Sequence, residues 1–370
     1  MNKKLIAALI AITLAVPTTA QAAGLKNRTD SKPAIAILDT AIDTSLPAFQ
    51  GKVIQEVCIL EWTTCPNGKS FMEGAGAASM PANLITKNGF DHGTLMTSVF
   101  VATNPNINIV FIKIIGNNAA GLRQNAGEAS VYNALNWIKS NALKYNIQAV
   151  SMSQGHHNLG APETDYCPKT PITEQAVKDL TFMQIPVFFP SGNGRDYKRI
   201  DWPACLDSSV SVGFVDQQNE ISVSSNNDNA KLDFFAPGFF SVAGPGNVLK
   251  NISGSSAAIQ VAAGQWLKLK TAKPTYTYDQ IFTAIKSTAS STAGRQGTFN
   301  KLININAALS YSPQQTGPSQ QEIAAQGKAK LKAEVDAAIA AAEAQYQIEL
   351  KAAQNKLDAT KAQWLAKLNG

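Results

Sequence analysis

From Pro33 to about residue 310, short apolar runs alternate with amphipathic stretches. Helical spacing begins at His92 and also covers 128–145 and 172–183. The apolar runs are nearly continuous, as expected for strands of a sheet that is covered on both faces. The pattern therefore predicts an α/β domain with a mostly parallel central sheet. Its predicted strands are AIAIL (34–38), INIVFIKII (107–115), IQAVSMS (147–153), IPVFF (185–189) and SVSVGFV (209–215).

The C-terminal pattern is different. A Pro/Gly/Gln/Ser linker at 313–321 precedes 322–370, which is rich in Ala, Lys, Glu and Gln, lacks proline, and predicts one long helix. Its apolar anchors recur every 11 residues, which keeps the stripe almost straight, at Leu331, Ala342, Ala353 and Trp364. A single helix cannot remove its own narrow apolar stripe from water. We expect this possible coiled-coil tail to self-associate, bind a partner, fold back on the domain or stay partly solvated.

The first 22 residues have the three-part order of a secretory signal peptide. Two lysines precede an apolar run from Leu5 to Val16, and Ala20-Gln21-Ala22 forms a cleavage site. The run is too short to span a membrane, and a buried N-terminal helix is the weaker alternative. We expect cleavage after Ala22 and a soluble, secreted or periplasmic protein without a membrane span.

An oxidising compartment favours disulfides. Four cysteines allow three pairings. We favour Cys58 with Cys65, which closes a local loop, and Cys167 with Cys205, which ties distant segments together. Zinc ligation is the weaker alternative, because there is no C-x-x-C pair and the histidines are not suitably spaced. No metal site is predicted.

The formal charge of +6 does not indicate a nucleic-acid partner. Lys3 and Lys4 leave with the signal peptide and the helical tail holds +1, so +3 remains on the rest of the chain. A nucleic-acid partner would need basic residues clustered on one face. We therefore predict no nucleic-acid partner.

Four segments place a reactive side chain at a strand end or helix start. Asp39 follows the first strand, and His92 opens the stretch DHGTLMTSVF, where Gly93 would allow a close approach. Asn193 lies in the turn SGNG, and Ser256 opens a helix of small residues. Asp39, Asn193 and Ser256, each taken alone, are read more simply as turn or helix-cap residues. Asp39 would lie at the carboxyl edge, where open α/β sheets place their sites. Together the four segments supply a carboxylate, a base, an amide donor and a nucleophile.

The order and spacing of these segments resemble the subtilisin-like serine protease (subtilase) family. AILDTAID is similar to its Asp motif, HGT to its His motif, SGN to its oxyanion motif and GSSAA to its G-T-S-M-A serine motif. SMSQG and FFAPG are further matches, and the resemblance covers about 33–310. It implies a subtilisin-like three-layer domain over 23–312, followed by the long C-terminal helix, and an exported serine endopeptidase that acts on polypeptides.

The resemblance also implies roles for single residues. Ser256 would be the nucleophile, His92 its base and Asp39 the group that orients the imidazole. The Asn193 side chain and the Ser256 N–H would form the oxyanion hole. Substrate contacts would come from Ser153, Gln154, Gly155 and Gly192.

Several positions depart from the family pattern. Thr, Met, Pro and His of the serine motif are replaced by Ser255, Ala257, Gln260 and Val261. No cofactor is expected to be required; calcium stays open, although Ala48 stands where many relatives have a calcium-binding Asp. Residues 23–32 are too few for a folded pro-region, so we expect folding to be unaided or helped by the tail or a separate protein.

Other functions stay open. The altered serine motif favours, as the main alternative, a catalytically impaired subtilase scaffold that binds a peptide or protein partner. A coiled-coil assembly protein with an incidental α/β head is a third interpretation. An α/β-hydrolase esterase is disfavoured, because no G-x-S-x-G elbow encloses a suitable serine.

Overall fold

The computed structural model describes residues 32–80, 85–86, 89–118, 121–156, 167, 171–312 and 320–368. The predicted signal peptide and residues 313–319 of the predicted linker lie outside the described residues. The chain divides into two compact units, Met1–Ser312 and Pro313–Gly370.

Ten strands of the described residues form one sheet in the order β11-β12-β8-β7-β6-β5-β1-β4-β2-β3. Neighbours from β12 to β2 run parallel, and only the two edge pairs are antiparallel. A separate hairpin pairs β9 with β10. The strands are β1 Ala34–Asp39, β2 Val53–Ile59, β3 Phe71–Glu73, β4 Asn108–Lys113, β5 Ile147–Met152, β6 Val187–Pro190, β7 Val210–Val215, β8 Phe234–Pro237, β9 Phe239–Ala243, β10 Leu249–Ser253, β11 Ser290–Gly294 and β12 Gly297–Leu302.

Helices cover both faces of this sheet. Those of the first unit are α1 His92–Thr103, α2 Glu128–Tyr145, α3 Pro171–Phe182, α4 Ser255–Ala272, α5 Tyr278–Ser287 and α6 Ile305–Ser310. Ile35 and Ile37 of β1 pack in the apolar cluster that contains α1 and α4. Ala36 and Leu38 pack in the cluster that contains α2 and α3. Successive side chains of a strand point to opposite faces of the sheet. In a sheet covered on both faces, the side chains on each face must therefore be apolar. The predicted fold class is confirmed.

The structure contains both disulfides that the sequence favoured. Cys58 and Cys65 have Cα atoms 5.9 Å apart and join the end of β2 to the following loop. Cys167 and Cys205, 38 residues apart in sequence, have Cα atoms 5.8 Å apart.

The second unit contains the helix α7, Gln320–Leu368. At 1.5 Å per residue it is about 70 Å long. Its apolar side chains at Leu350, Leu357 and Trp364 are each at least half exposed. None of the described helices has the length and apolarity required to span a membrane.

Candidate active site

Asp39 and His92 meet at the carboxyl edge of the sheet. Asp39 is the last residue of β1 and has no exposed surface, whereas the side chain of His92, at the start of α1, is 23% exposed. His92 Nδ1 lies 2.8 and 3.0 Å from the two carboxylate oxygens. A carboxylate in this position favours the tautomer that carries its proton on Nδ1, which leaves Nε2 free to accept a proton.

Gly93 lets the first turn of α1 lie against β1. A Cβ at this position would lie 2.5 Å from the Ala41 carbonyl oxygen and 2.7 Å from the Phe111 ring. Thr40 closes the contact, because its hydroxyl donates to the Phe90 carbonyl at 2.8 Å and accepts from the Gly93 N–H at 2.9 Å. Gly93 was expected to let another chain or substrate approach closely, but the groups that approach it are the Ala41 carbonyl and the Phe111 ring of this chain.

Ser256 lies in the first turn of α4, the helix that packs against α1. Its hydroxyl donates to the Ser153 carbonyl at 3.3 Å, and the Ser153 hydroxyl donates to the Ser256 carbonyl at 3.0 Å. Among the described residues, Ser256 makes no hydrogen bond to His92. Nucleophile–base hydrogen bonds often form only when substrate is bound.

Gln260 replaces the proline of the family's serine motif and is fully buried. Its Nε2 donates to the Ser153 hydroxyl at 2.8 Å, and its Oε1 accepts from the Ser151 hydroxyl at 3.1 Å. Both ends of the amide are thus bonded to β5 and the residue after it. A buried polar group with its partners satisfied holds a fixed position, so these bonds tie α4 to the sheet edge.

Asn193 follows β6 in an exposed turn. Its Oδ1 accepts from the Ser255 N–H at 2.9 Å and from the Ser255 hydroxyl at 3.0 Å. Because both partners donate, they turn the Nδ2 group of the amide away from Ser255, where it can donate elsewhere. Gly254 has φ 142°, a backbone conformation that favours glycine, and a Cβ there would press on Asn193 Nδ2 at 3.1 Å.

The four predicted substrate-contact residues lie in different environments. Ser153 and Gln154 are buried, and Gln154 Nε2 donates to Asp39 Oδ1 at 2.9 Å. Gly155 is exposed. Gly192 is buried, and a Cβ there would lie 2.3 Å from Asn226 Nδ2. The substrate contacts stay predictions, but the Ser153 and Gln154 side chains bond to groups of the site itself.

Sequence reasoning missed Lys113, the last residue of β4, which pairs in register with Asp39. Its Nζ donates to the Thr40 carbonyl at 3.2 Å and lies 4.9 Å from the centre of the Phe90 ring. Burial lowers the pKa of Lys113 to about 8, although the nearby Asp39 carboxylate acts in the opposite direction. A lone charged residue inside an otherwise apolar strand was the available signal.

Comparison with known proteins assigns the family. The family model described as the subtilase family matches residues 30–307. The chain belongs to the subtilase family. The predicted resemblance is confirmed, and the family is one of serine proteases.

Curated relatives of this subtilase include bacterial proteases. It is 28% identical over 243 residues to an alkaline protease of Alkalihalobacillus alcalophilus, a match that covers 63% of this chain and 58% of the relative. It is 27% identical to Subtilisin Savinase of Lederbergia lenta, over 63% of this chain and 82% of the relative. The chain thus spans less than two thirds of the alkaline protease that it matches.

Solved subtilisin-like structures share the fold. A cold-adapted subtilisin-like serine proteinase is 23% identical, with a TM-score of 0.55 over 73% of this chain and 87% of the other. A lanthipeptide protease is 16% identical, with a TM-score of 0.58 over 75% of this chain and 87% of the other. At these identities the likeness supports the fold alone.

Proposed function

We propose that this subtilase is an exported serine endopeptidase that hydrolyses peptide bonds through an acyl-enzyme. One observation carries the proposal: the buried Asp39 carboxylate holds Nδ1 of His92 at 2.8 Å. The imidazole is carried by a helix that packs against the helix of Ser256. A carboxylate-bound imidazole and a serine at the start of a neighbouring helix are the groups that nucleophilic acyl transfer requires.

In the proposed reaction, the Ser256 hydroxyl turns from the Ser153 carbonyl to His92 Nε2 and attacks the carbonyl carbon of the peptide bond. His92 takes the hydroxyl proton and passes it to the leaving amine, while Asp39 stabilises the imidazolium. The developing oxyanion would accept hydrogen bonds from the Ser256 N–H and Asn193 Nδ2. Water then hydrolyses the acyl-enzyme by the same route.

The proposed substrate is an extended polypeptide, bound along Gly155 and Gly192 beside the site. Export is supported by the predicted signal peptide, with cleavage after Ala22. We expect no cofactor to be required, and calcium stays an open prediction because Ala48 replaces a usual ligand.

We also propose a peptidase domain over 23–312 and a helical tail over 322–370 that self-associates or binds a partner. The exposed apolar side chains of α7 support this role. Light scattering of the full chain and of a chain ending at Ser312 tests it. An oligomer only for the full chain supports self-association; monomers for both, with no partner bound, contradict it.

A catalytically impaired scaffold that binds peptides is the second candidate. The observation that favours it is the Ser256 hydroxyl bonded to the Ser153 carbonyl and not to His92. The altered residues around Ser256 point the same way.

Labelling with an organofluorophosphonate separates the two candidates. The purified mature protein and Ser287→Ala, which removes an exposed and remote serine, should be labelled. Ser256→Ala should not be labelled, because the reagent forms a bond to an activated serine. An unlabelled parent protein would refute the protease and leave the scaffold.

A further inference from the structure

We propose that Gln154 is a positioning residue of the catalytic triad and that Arg123 locks its orientation. The proposal rests on the serine-protease function above. Gln154 is only 6% exposed. Its Nε2 lies 2.9 Å from Asp39 Oδ1 and 3.2 Å from His92 Nδ1, and its Oε1 accepts a hydrogen bond from Arg123 Nη2.

Arg123 determines which way the Gln154 amide faces. A guanidinium can only donate hydrogen bonds, so its partner must be the carbonyl oxygen of the amide. The NH2 group must then face Asp39, which as a carboxylate can only accept. Arg123 is itself held by a bond from Nη1 to the Gly89 carbonyl at 3.3 Å, in the turn that precedes α1. Arg123 thus donates a hydrogen bond to Gln154, and Gln154 donates one to Asp39.

Gln154 completes the set of donors around Asp39. Oδ1 accepts from the Thr40 N–H at 2.7 Å and from Gln154, and both carboxylate oxygens lie within 3.0 Å of His92 Nδ1. Three donors thus bind one carboxylate and restrict its rotation. The Gln154 amide lies beside Nδ1, and the Asp39 carboxylate next to it has no exposed surface. Its effect on the reaction therefore passes through Asp39 and His92.

A matched set of variants of the full mature chain tests the proposal. Gln154→Met keeps the length and removes the donor, and Gln154→Glu replaces the donor with an acceptor. Arg123→Met leaves the amide free to turn over, and Arg123 is only partly buried, so this variant is the least disruptive to folding. Arg295→Met, at an exposed and remote arginine, controls for the lost charge.

Two readouts are measured: kcat and KM on a chromogenic peptide, and the low-field proton resonance of His92 Nδ1–H. Loss of that resonance in His92→Ala assigns it. We expect Gln154→Met to lower kcat about 10- to 100-fold with KM within about twofold, and to broaden the resonance or move it upfield. Gln154→Glu should lose at least as much, Arg123→Met less, and Arg295→Met nothing.

The double variant Gln154→Met/Arg123→Met should be no slower than Gln154→Met, because Arg123 acts through Gln154. An unchanged resonance in Gln154→Met overturns the proposal, as does a change confined to KM, which is the result for a substrate-contact residue. If the parent protein neither turns over peptide nor reacts with a fluorophosphonate, the protease proposal fails. The resonance comparison still decides the role of Gln154.

Discussion

The candidate site has two halves, Asp39 with His92 and Ser256 with Asn193, and different interactions hold the residues of each half in place. In the Asp39–His92 half, charged groups are buried beside tightly packed backbone, with Lys113 and the crowded Gly93 next to the carboxylate. In the Ser256–Asn193 half, neutral amides and hydroxyls do the positioning, through Gln260, Ser153 and Ser255. The sequence departs from the family pattern mainly in the second half. A half built on neutral hydrogen bonds tolerates exchanged partners, because a new amide or hydroxyl can satisfy the same backbone groups.

The largest effect in the serine half is expected at Asn193, the proposed oxyanion donor. Asn193→Ala should lower kcat about 10²- to 10³-fold with little change in KM, a magnitude known from a related subtilisin. The reason is that Nδ2 would donate to charge present only in the transition state. Steady-state kinetics on a peptide measure it, with Asn306→Ala at an exposed position of α6 as the control. A rise in KM alone would assign Asn193 to ground-state binding.

In the Asp–His half, the stability of the protein should depend on pH through Lys113. Its pKa is about 8 when folded and about 10.5 when unfolded, so below pH 8 the buried charge costs about 3 kcal/mol. Between these values the unfolded chain binds more protons, and the free energy of unfolding rises with pH. From pH 7.5 to 10 this group should add about 2 kcal/mol.

Denaturant unfolding of Lys113→Met and of the parent protein at both pH values measures this contribution. The variant should lack the rise of about 2 kcal/mol. Equal slopes in the two proteins would show that Lys113 is not buried as a charge.

Packing in the same half is tested at Gly93. Gly93→Ala places a methyl group against the Ala41 carbonyl and the Phe111 ring, and should lower the free energy of unfolding by about 1–3 kcal/mol. Activity should fall further than stability predicts, because the displaced helix carries His92. Denaturant unfolding and kcat are measured together. Normal stability with normal kcat would contradict the close packing of α1 on β1.

The smallest effect is expected for the buried amide of the serine half. Gln260→Leu leaves the Ser151 hydroxyl without its acceptor and the Ser153 hydroxyl without its donor, and should cost about 1–2 kcal/mol of unfolding free energy. Because all three groups are neutral, the loss should be the same at pH 7.5 and 10. A loss that changes with pH would remove the contrast between the two halves.

The sequence predicted those parts of the site whose residue types are dictated by chemistry. The carboxylate, imidazole, amide and hydroxyl stand at strand ends or helix starts, and strands buried on both faces are nearly continuously apolar, as in β1 and β4 to β7. β2 was missed because it carries Glu56, whose carboxylate accepts from the Gly76 and Ala78 N–H groups at 3.1 Å. A buried carboxylate whose hydrogen-bond donors come from a loop elsewhere in the chain leaves no periodic pattern in the sequence.

Side-chain direction could not be predicted. Gln154 was expected to contact substrate, yet its amide bonds to Asp39 and to Arg123, 31 residues away in sequence. From the sequence, Gln260 was only the residue that replaces the proline of the serine motif. Its two hydrogen bonds form because α4 lies close to β5. Such contacts are set by the packed structure and not by any local spacing.

We expect the two halves of the site to act as one catalytic unit. This is measured as kcat/KM for peptide hydrolysis by His92→Ala, Ser256→Ala and the double variant. We predict that each single variant loses about as much as the double, roughly 10⁶-fold as in a related subtilisin, because neither group works without the other. Losses that multiply in the double variant, or a His92→Ala variant with the parent's activity, would show that the two halves do not depend on each other.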